Sequence, residues 1–142
     1  MVELDHQFTT GHSSEETWNA ILDLERLVPC VQGGTVIERT GDDSVRAEIK
    51  IRMGAMSLTF AGTVEVAERD EAAHRALLRV KSREAGGQGY ANADVTFTLD
   101  NGGGTIHTAA QISGKAASMG EGVMVTVLDA LIADFTTKLA AL

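Results

Sequence analysis

The chain has 142 residues, with 12 Lys and Arg against 20 Asp and Glu, which gives a formal net charge of −8. This balance argues against nucleic acid as the main partner, because binding to phosphates needs a clustered basic surface. A single cysteine excludes an intrachain disulfide framework, and no apolar run reaches the roughly 18 residues of a membrane-spanning helix. The length fits one domain over residues 1–142, and the acidic N-terminus lacks a signal peptide's basic and apolar regions, which predicts a cytoplasmic protein.

The first elements are a strand and a pair of short helices. Residues 2–9 alternate apolar and polar side chains, which predicts a strand with His6 on the inward face. Ser13 and Glu16 form the pattern of a capping box, so a helix is expected to begin there. A second helical turn over residues 24–28 should stop near Pro29.

Six further strands are expected between residues 35 and 112. The apolar residues alternate with charged or polar ones throughout this region, with a bend or bulge expected at Gly54 and a polar loop over residues 68–73. Glycine-rich segments at residues 86–89 and 100–104 mark turns. All these links have hairpin length, so the sheet is predicted to be antiparallel.

The last stretch, residues 119–142, has the pattern of one long amphipathic helix. Met119, Val123, Val127, Leu131 and Phe135 recur every four residues, and the stretch would be roughly 36 Å long as a helix. The predicted fold class is therefore α+β: a curved antiparallel sheet wrapped around a long C-terminal helix, with two short helices after strand 1. A sheet curved in this way encloses either a packed core or a hollow.

Several positions on the inward face carry small residues. These are Ala47, Gly62, Ala76, Ala91, Ala93 and Ala110. Small side chains leave volume between sheet and helix, and methionines beside it adapt to varied apolar shapes, which favours a hydrophobic-ligand cavity. The alternative interpretation is that small residues let the helix pack closely, and the sequence leaves both open. The expected cavity residues are Ile49, Ile51, Met53, Met56, Leu58, Phe60, Val95, Phe97, Met119, Met124, Val127, Leu128 and Leu131.

Catalytic and metal-binding patterns are not found. The four histidines form no close ligand pair, so neither a metal site nor a catalytic histidine is expected. Cys30 follows a helix end without a neighbouring histidine and is interpreted as a buried, inert thiol. The basic residues Arg75, Arg79, Lys81 and Arg83 share the outer face of one strand, where cross-strand partners such as Asp94 could neutralise them. A solvated face is expected there, and a docking surface is the alternative.

Four segments carry a resemblance to a known family. They are residues 27–33 (Leu-Val-Pro-Cys-Val-Gln-Gly), 53–62 (Met-Gly-Ala-Met-Ser-Leu-Thr-Phe-Ala-Gly), 89–95 (Gly-Tyr-Ala-Asn-Ala-Asp-Val) and 103–105 with 113–120 (Ser-Gly-Lys-Ala-Ala-Ser-Met-Gly). With the element order, they resemble the CoxG family of carbon monoxide dehydrogenase subunits, within the START/SRPBCC superfamily of helix-grip domains. The chain departs from the family pattern at Gln32 and Ala55, where prolines are usual, and at Pro29, which precedes the cysteine.

The resemblance implies a non-catalytic accessory to molybdenum-containing carbon monoxide dehydrogenase, located peripherally at the inner face of the cell membrane. Family members often continue into a membrane-associating tail, which here would be absent or removed. Together with the small apolar residues of the inward face, the resemblance suggests that the domain binds a prenylated quinone such as menaquinone, or another lipid, and has no covalent cofactor. The alternatives are a polyketide cyclase or aromatase on the same fold, and a maturation or scaffold protein with a solid core.

The start of the long helix is the expected gate of such a cavity. Gly120 and Gly122 lie there beside Met119 and Met124, and glycine lowers helix propensity by roughly 1 kcal/mol relative to alanine. We hypothesise that this rim opens to let the ligand pass. The alternative is that the two glycines permit close contact between helix and sheet.

Overall fold

The computed structural model describes residues 1–53 and 55–142, and for Met53 the backbone alone. The expected bend at Gly54 lies outside the described residues. The strands are β1 (Val2–Thr9), β2 (Gly34–Gly41), β3 (Ser44–Met53), β4 (Met56–Asp70), β5 (Arg75–Glu84), β6 (Tyr90–Asp100) and β7 (Gly103–Ile112). The helices are α1 (Ser14–Leu22), α2 (Leu24–Leu27) and α3 (Glu121–Ala140), and 3-10 turns cover Val28–Cys30 and Ala117–Met119. No described helix is long and apolar enough to cross a membrane.

The seven strands form one sheet in the order β1-β7-β6-β5-β4-β3-β2. Every neighbouring pair is antiparallel, and β1 joins the sheet beside β7, so the first strand pairs with the last. The described strands and helices form the predicted helix-grip arrangement, with α3 lying across the inward face and closest to β1. The predicted fold class is therefore confirmed.

The predicted capping box is present at the start of α1. The Ser13 side chain accepts a hydrogen bond from the Glu16 backbone N–H, and the Glu16 side chain accepts one from the Ser13 backbone N–H. These contacts satisfy two N–H groups that a helix start otherwise leaves unpaired. The motif therefore fixes where the chain turns from β1 into α1.

Two predicted boundaries are wrong. The long helix begins at Glu121 and not at Met119, because Gly120 has a φ of +95°, which ends the preceding 3-10 turn and serves as the N-cap of α3. The polar segment at residues 68–73 is only partly a loop. β4 continues to Asp70, and a bulge between Val66 and Glu68 shifts the register so that these charged residues remain paired with β5.

The two ends of the sheet differ. At one end, the packed end, α1 and α2 cover the β2–β3, β4–β5 and β6–β7 turns, and Trp18 stacks on His74 with ring centroids 5.3 Å apart. At the other, the roof end, lie the β3–β4 and β5–β6 hairpins and the segment that leads into α3. The main core fills the packed end, where Phe97 and Phe135 approach to 6.1 Å between centroids. A smaller cluster at the roof end, the roof cluster, consists of Leu58, Phe60, Ala116 and Met124, with Met56 and Met119 against it.

Candidate functional site

An apolar cavity of about 220 Å³ lies between α3 and the sheet, in the space between the main core and the roof cluster. Its walls come from every strand from β3 to β7, from α3, and from the segment after α2. The lining residues are Leu27, Val28, Val31, Ile49, Ile51, Phe60, Leu78, Val80, Ser82, Ala91, Asn92, Ala93, Val95, Phe97, Ile106, Thr108, Ala110, Ile112, Ala116, Met124, Val127, Leu128, Leu131, Ile132 and Phe135.

The cavity exists because side-chain size changes along β6. Near the packed end Phe97 and Leu99 are buried, whereas the inward residues nearer the roof end are Ala91, Ala93 and Val95, and these are only half-buried. Alanine side chains cannot reach α3, so the helix is held away from this part of the sheet by the larger residues at its two ends. The same gap explains why the apolar Leu128 and Leu131 of α3 are half-buried.

The structure brings most of the sequence-predicted cavity residues together. Ile49, Ile51, Phe60, Val95, Phe97, Met124, Val127, Leu128 and Leu131 line the cavity. Three do not: Leu58, Met56 and Met119 pack in or against the roof cluster above it. Met119 falls outside because it belongs to the 3-10 turn and not to α3, so the helical spacing does not apply to it. The side chain of Met53 lies outside the described residues.

The small inward residues have three different roles. Ala91, Ala93 and Ala110 line the cavity as expected. Ala47 and Ala76 belong to the main core, which also includes buried side chains of the short helices. Gly62 is small for another reason, since a Cβ on it would overlap the carbonyl oxygen of Lys81 on β5. The expectation that all six leave volume was therefore wrong for Ala47, Ala76 and Gly62.

One wall was missed by the sequence reasoning. Leu27, Val28 and Val31 close the cavity beside β3, although the short helices were expected to cover only one end of the sheet. The signal was present as an apolar pair four residues apart, Leu27 and Val31, which Gln32 separates from the Gly33-Gly34 pair. Ile112 and Ala116 line the cavity from the chain segment that leads into the roof.

The cavity wall includes three residues with polar side chains. The Ser82 hydroxyl donates to the Ala91 carbonyl oxygen at 2.6 Å, and the Asn92 side-chain oxygen accepts from the Ser82 backbone N–H at 3.3 Å. The Thr108 hydroxyl is buried and has no hydrogen-bond partner among the described residues. Thr108 therefore contributes a hydroxyl that is unpaired and buried within the cavity wall.

The titratable residues singled out in the sequence lie outside this lining. His6 points inward, as predicted, but its Nε2 lies 2.7 Å from the Asp129 carboxylate of α3, so Nε2 carries the proton and donates it. Cys30 is buried, and its thiol donates to the Arg26 carbonyl oxygen at 3.5 Å. Burial raises the pKa of the Cys30 thiol, which opposes formation of the nucleophilic thiolate. Across residues 1–53 and 55–142, no cluster of metal-ligating side chains occurs.

The structure shows the partner of Arg79 and the surroundings of the two glycines at the start of α3. Arg79 donates to the Asp94 carboxylate across β5 and β6 at 3.0 Å, which confirms the expected neutralisation at this position. The packing explanation for the helix-start glycines is wrong, because a Cβ at Gly120 or Gly122 would meet no atom within 4 Å. Gly120 is required instead for its positive φ, while Gly122 lies in open space in the first turn of α3.

The fold is shared by several solved structures. A conserved protein from Geobacillus kaustophilus superposes with a TM-score of 0.80 at 23% identity, over 98% of this chain and 91% of its own. The Zhui aromatase/cyclase from Streptomyces sp. R1128 gives 0.61 at 12% identity, over 99% of this chain and 92% of its own. A START superfamily protein from Mycobacterium smegmatis gives 0.62 at 10% identity, over 98% and 94%.

The sequence comparison identifies the family. Among curated proteins nothing matches the chain. The model of the carbon monoxide dehydrogenase CoxG family matches residues 7–141, which is nearly the whole chain. The match extends across the described sheet and helices and includes the segments that line the cavity. This chain belongs to the CoxG family of carbon monoxide dehydrogenase subunits.

Proposed function

We propose that this protein is a non-catalytic carrier of a prenylated quinone, such as menaquinone, that serves molybdenum-containing carbon monoxide dehydrogenase. The observation that supports this most directly is the apolar cavity between α3 and the sheet in a chain of the CoxG family. The carrier links the enzyme to the membrane quinone pool and works peripherally at the inner face of the cell membrane.

The chemistry of the wall suits a neutral, largely hydrocarbon ligand. Among the described residues, the side chains that line the cavity include no charged group, so a phosphate or carboxylate would enter unpaired at a high cost in desolvation. A quinone has a flat ring, two carbonyl oxygens and an uncharged isoprenoid tail. The Thr108 hydroxyl is unpaired and buried in the unloaded wall, and it would donate to one of those oxygens once the wall opens around the ring.

The size of the cavity bears on how such a ligand is held. Its volume of about 220 Å³ is below the roughly 300–1,000 Å³ of typical ligand pockets. A prenylated quinone therefore needs the first half of α3 or the roof cluster to move outward, or the tail to extend past the roof. We place the ring in the cavity and the tail toward the roof end, where Met56 and Met119 provide adaptable apolar contacts.

The redox reaction that this carrier would serve balances without chemistry by its own side chains. Carbon monoxide and water give carbon dioxide, two protons and two electrons at the dehydrogenase. The quinone accepts both electrons and two protons and becomes the quinol. The domain's contribution is to keep an insoluble molecule out of water and to release it at the two partners.

The test begins with the ligand that purified protein carries. Extraction with organic solvent followed by mass spectrometry should release a prenylated quinone. Protein reloaded with menaquinone should then supply oxidant to purified carbon monoxide dehydrogenase, and quinol should accumulate only when carbon monoxide is present. Protein that carries no apolar molecule and cannot be loaded with menaquinone would contradict the proposal.

A matched pair of variants shows whether the cavity holds the quinone. Ala93→Phe places a ring inside the cavity, whereas Thr98→Phe adds the same ring on the exposed outer face of the same strand. Loading should be lost in the first variant and retained in the second. Equal loading of the two folded variants would mean that the quinone is bound elsewhere.

A second candidate is an enzyme of the polyketide cyclase or aromatase type. The similarity in fold to an aromatase/cyclase and the free hydroxyl of Thr108 favour it. Such chemistry needs a proton donor or acceptor near the substrate, and the described lining offers Ser82, Asn92 and Thr108 but no titratable side chain. Turnover of a linear polyketide that is lost in Thr108→Val would favour this candidate over the carrier.

A further inference from the structure

The charges of this acidic protein are divided between the two ends of the sheet. At the packed end, the turns between strands carry exposed carboxylates, and so do the short helices. These residues are Glu15, Glu16, Asp23, Glu25, Asp42, Asp43, Asp70, Glu71 and Asp100. The net charge of −8 is therefore not spread evenly over the surface.

The roof end carries exposed basic residues instead. Arg52 and Arg83 are the penultimate residues of β3 and β5, and Lys115 lies in the segment that leads into the roof. Lys115 is held beside the β5–β6 hairpin, because its backbone N–H donates to the Gln88 carbonyl oxygen at 2.8 Å. We call Arg52, Arg83 and Lys115 the roof cations.

The roof cations are not used in ion pairs among the described residues, unlike several arginines nearer the packed end. Arg39, Arg69 and Arg79 pair with Asp42, Asp43 and Asp94. Lys50 and Lys81 lie two residues before Arg52 and Arg83 on β3 and β5. Both are exposed, and neither forms an ion pair with a described residue.

The carboxylates of the roof region do not cancel these charges. Glu84 is half-buried and accepts a hydrogen bond from the Gln88 backbone N–H at 3.1 Å within its own hairpin. Glu48 is half-buried on β3, and Glu121 is exposed in the first turn of α3. Basic side chains thus outnumber acidic ones around the roof.

Apolar side chains accompany the cations at the same end. Tyr90, which pairs with Arg83 across the sheet, is 39% exposed, and Val123 near the start of α3 is 38% exposed. Met56 and Met119 are half-buried in front of the cavity. Exposed cations around aromatic and aliphatic groups match a bilayer surface, with its anionic headgroups and apolar interior.

We propose that the roof end docks on an anionic lipid surface, with the roof cations on the headgroups and the acidic packed end facing away. This orientation directs the cavity roof toward the acyl chains, where a prenylated ligand is soluble. The inference rests on the proposed function only to explain why the protein would bind a membrane. The docking itself needs no ligand in the cavity, so the two proposals can fail separately.

The experiment is flotation with vesicles of phosphatidylcholine alone and of phosphatidylcholine mixed with phosphatidylglycerol. Binding should require the anionic lipid and weaken as salt is added, because salt screens the attraction. The double variant Arg52→Glu, Arg83→Glu reverses the charge of two roof cations and should lower vesicle affinity on the order of thirtyfold or more. Lys115→Glu alone, in a loop and outside the sheet, should lower it by several-fold.

The matched control changes the same charge at the packed end. The double variant Arg26→Glu, Arg75→Glu also replaces two exposed arginines that form no ion pair with a described residue. Its vesicle affinity should stay within about twofold of the wild type, since these residues face away from the bilayer. Melting curves establish that each variant is folded. Equal losses in the two double variants would overturn the orientation.

Two other outcomes would overturn the lipid assignment. One is the absence of binding to vesicles of either composition. The other is a protein that binds immobilised carbon monoxide dehydrogenase but not vesicles, and that loses this binding in the Arg52 and Arg83 double variant. That result would make the enzyme the partner of the roof cations. If vesicle binding follows the expected pattern but no quinone can be loaded, the proposed function fails and the docking surface remains.

Discussion

Thr108 is the cavity residue to which the proposed function assigns the polar recognition of the quinone. It lies on β7, opposite Val95 on β6 and Leu4 on β1, in an apolar part of the wall. A buried hydroxyl without a partner destabilises a fold by about 1–3 kcal/mol relative to a paired one. A threonine here therefore lowers the stability of the unloaded protein and suits a role in binding.

The variant Thr108→Val separates these two effects. Valine has the shape of threonine without the hydroxyl, so the unloaded protein should be unchanged or stabilised by up to about 1 kcal/mol. Affinity for menaquinone should fall by roughly three- to tenfold, the value of one neutral hydrogen bond. Melting curves and quinone titration measure the two effects, with Thr96→Val on the outer face of β6 as the control. An unchanged affinity would show that the hydroxyl does not contact the ligand.

His107 gives the fold a pH-dependent contact between β7 and β1. Its Nδ1 lies 2.7 Å from the Asp5 carboxylate, and its Nε2 lies 3.6 Å from that of Glu3. The hydrogen bond to Asp5 is the largest effect and raises the pKa of His107. Desolvation opposes this rise, and the charges of Asp5 and Glu3 add to it. Because the folded pKa is raised, the contribution is fully present below the unfolded value near 6.5 and is lost as pH rises through the folded pKa.

The expected result is a pH-dependent difference between wild type and His107→Ala. The wild type should melt higher than the variant at about pH 5.5, where the imidazolium is present. The two melting temperatures should converge by about pH 9. Asp5→Asn should remove most of the pH dependence, and a difference that grows with pH would reverse the assigned sign.

At the scale of elements, α3 is packed unevenly along its length. Phe135 and Leu139 are buried in its second half, whereas Met124 alone is buried in the first two turns among the described residues. Between them, the bond from His6 to Asp129 joins the middle of α3 to β1. The half over the cavity is thus held by fewer buried side chains, and a gate, if present, is expected there.

The gate hypothesis is tested best at Gly122. The variant Gly120→Ala would strain a residue with φ of +95°, but Gly122→Ala places a methyl group in open space and should stabilise the helix by roughly 1 kcal/mol. A stiffer first turn should also slow quinone exchange, measured by transfer of the ligand to vesicles.

The control for Gly122→Ala is a change in helix propensity away from the roof. Ala133→Gly, at an exposed position in the second half of α3, should lower stability by a similar amount and leave exchange nearly unchanged. If exchange follows the melting temperature in both variants, global stability controls release. If neither variant changes exchange, the first turn of α3 is not the gate.

For the whole molecule, the cavity links ligand binding to stability. Apolar surface beside α3 that lacks packing partners weakens the unloaded fold, and a ligand that fills it restores those contacts. A ligand that binds only the folded state at 100 times its Kd adds about 2.7 kcal/mol to the free energy of unfolding. For a chain of this size, that corresponds to a rise in melting temperature of roughly 10 °C.

The ligand-dependent shift should disappear when the cavity is filled permanently. Ala93→Phe should melt at or above the temperature of the unloaded wild type, because its ring takes part of the empty volume, and it should gain almost nothing from added menaquinone. Thr98→Phe should keep the full shift. A large shift in Ala93→Phe would place the binding site outside the cavity.

The order of strands and helices was determined by the sequence alone, because it depends on local patterns. Alternation of apolar and polar residues predicted the strands, the Ser13–Glu16 pair predicted the start of α1, and four-residue spacing predicted α3. Most of the cavity wall followed from the same alternation, which tells inward residues from outward ones. The family was also within reach, since its segments are continuous stretches of sequence.

What only the tertiary structure decided is where empty space remains. Ala76 and Ala93 are both inward alanines on neighbouring strands, yet Ala76 is buried in the main core whereas Ala93 lines the cavity. Gly62 is small because β5 passes too close for a Cβ, which alternation along β4 cannot reveal. Volume and charge distribution depend on distances between residues far apart in the chain, so they are fixed only when sheet, helices and roof come together.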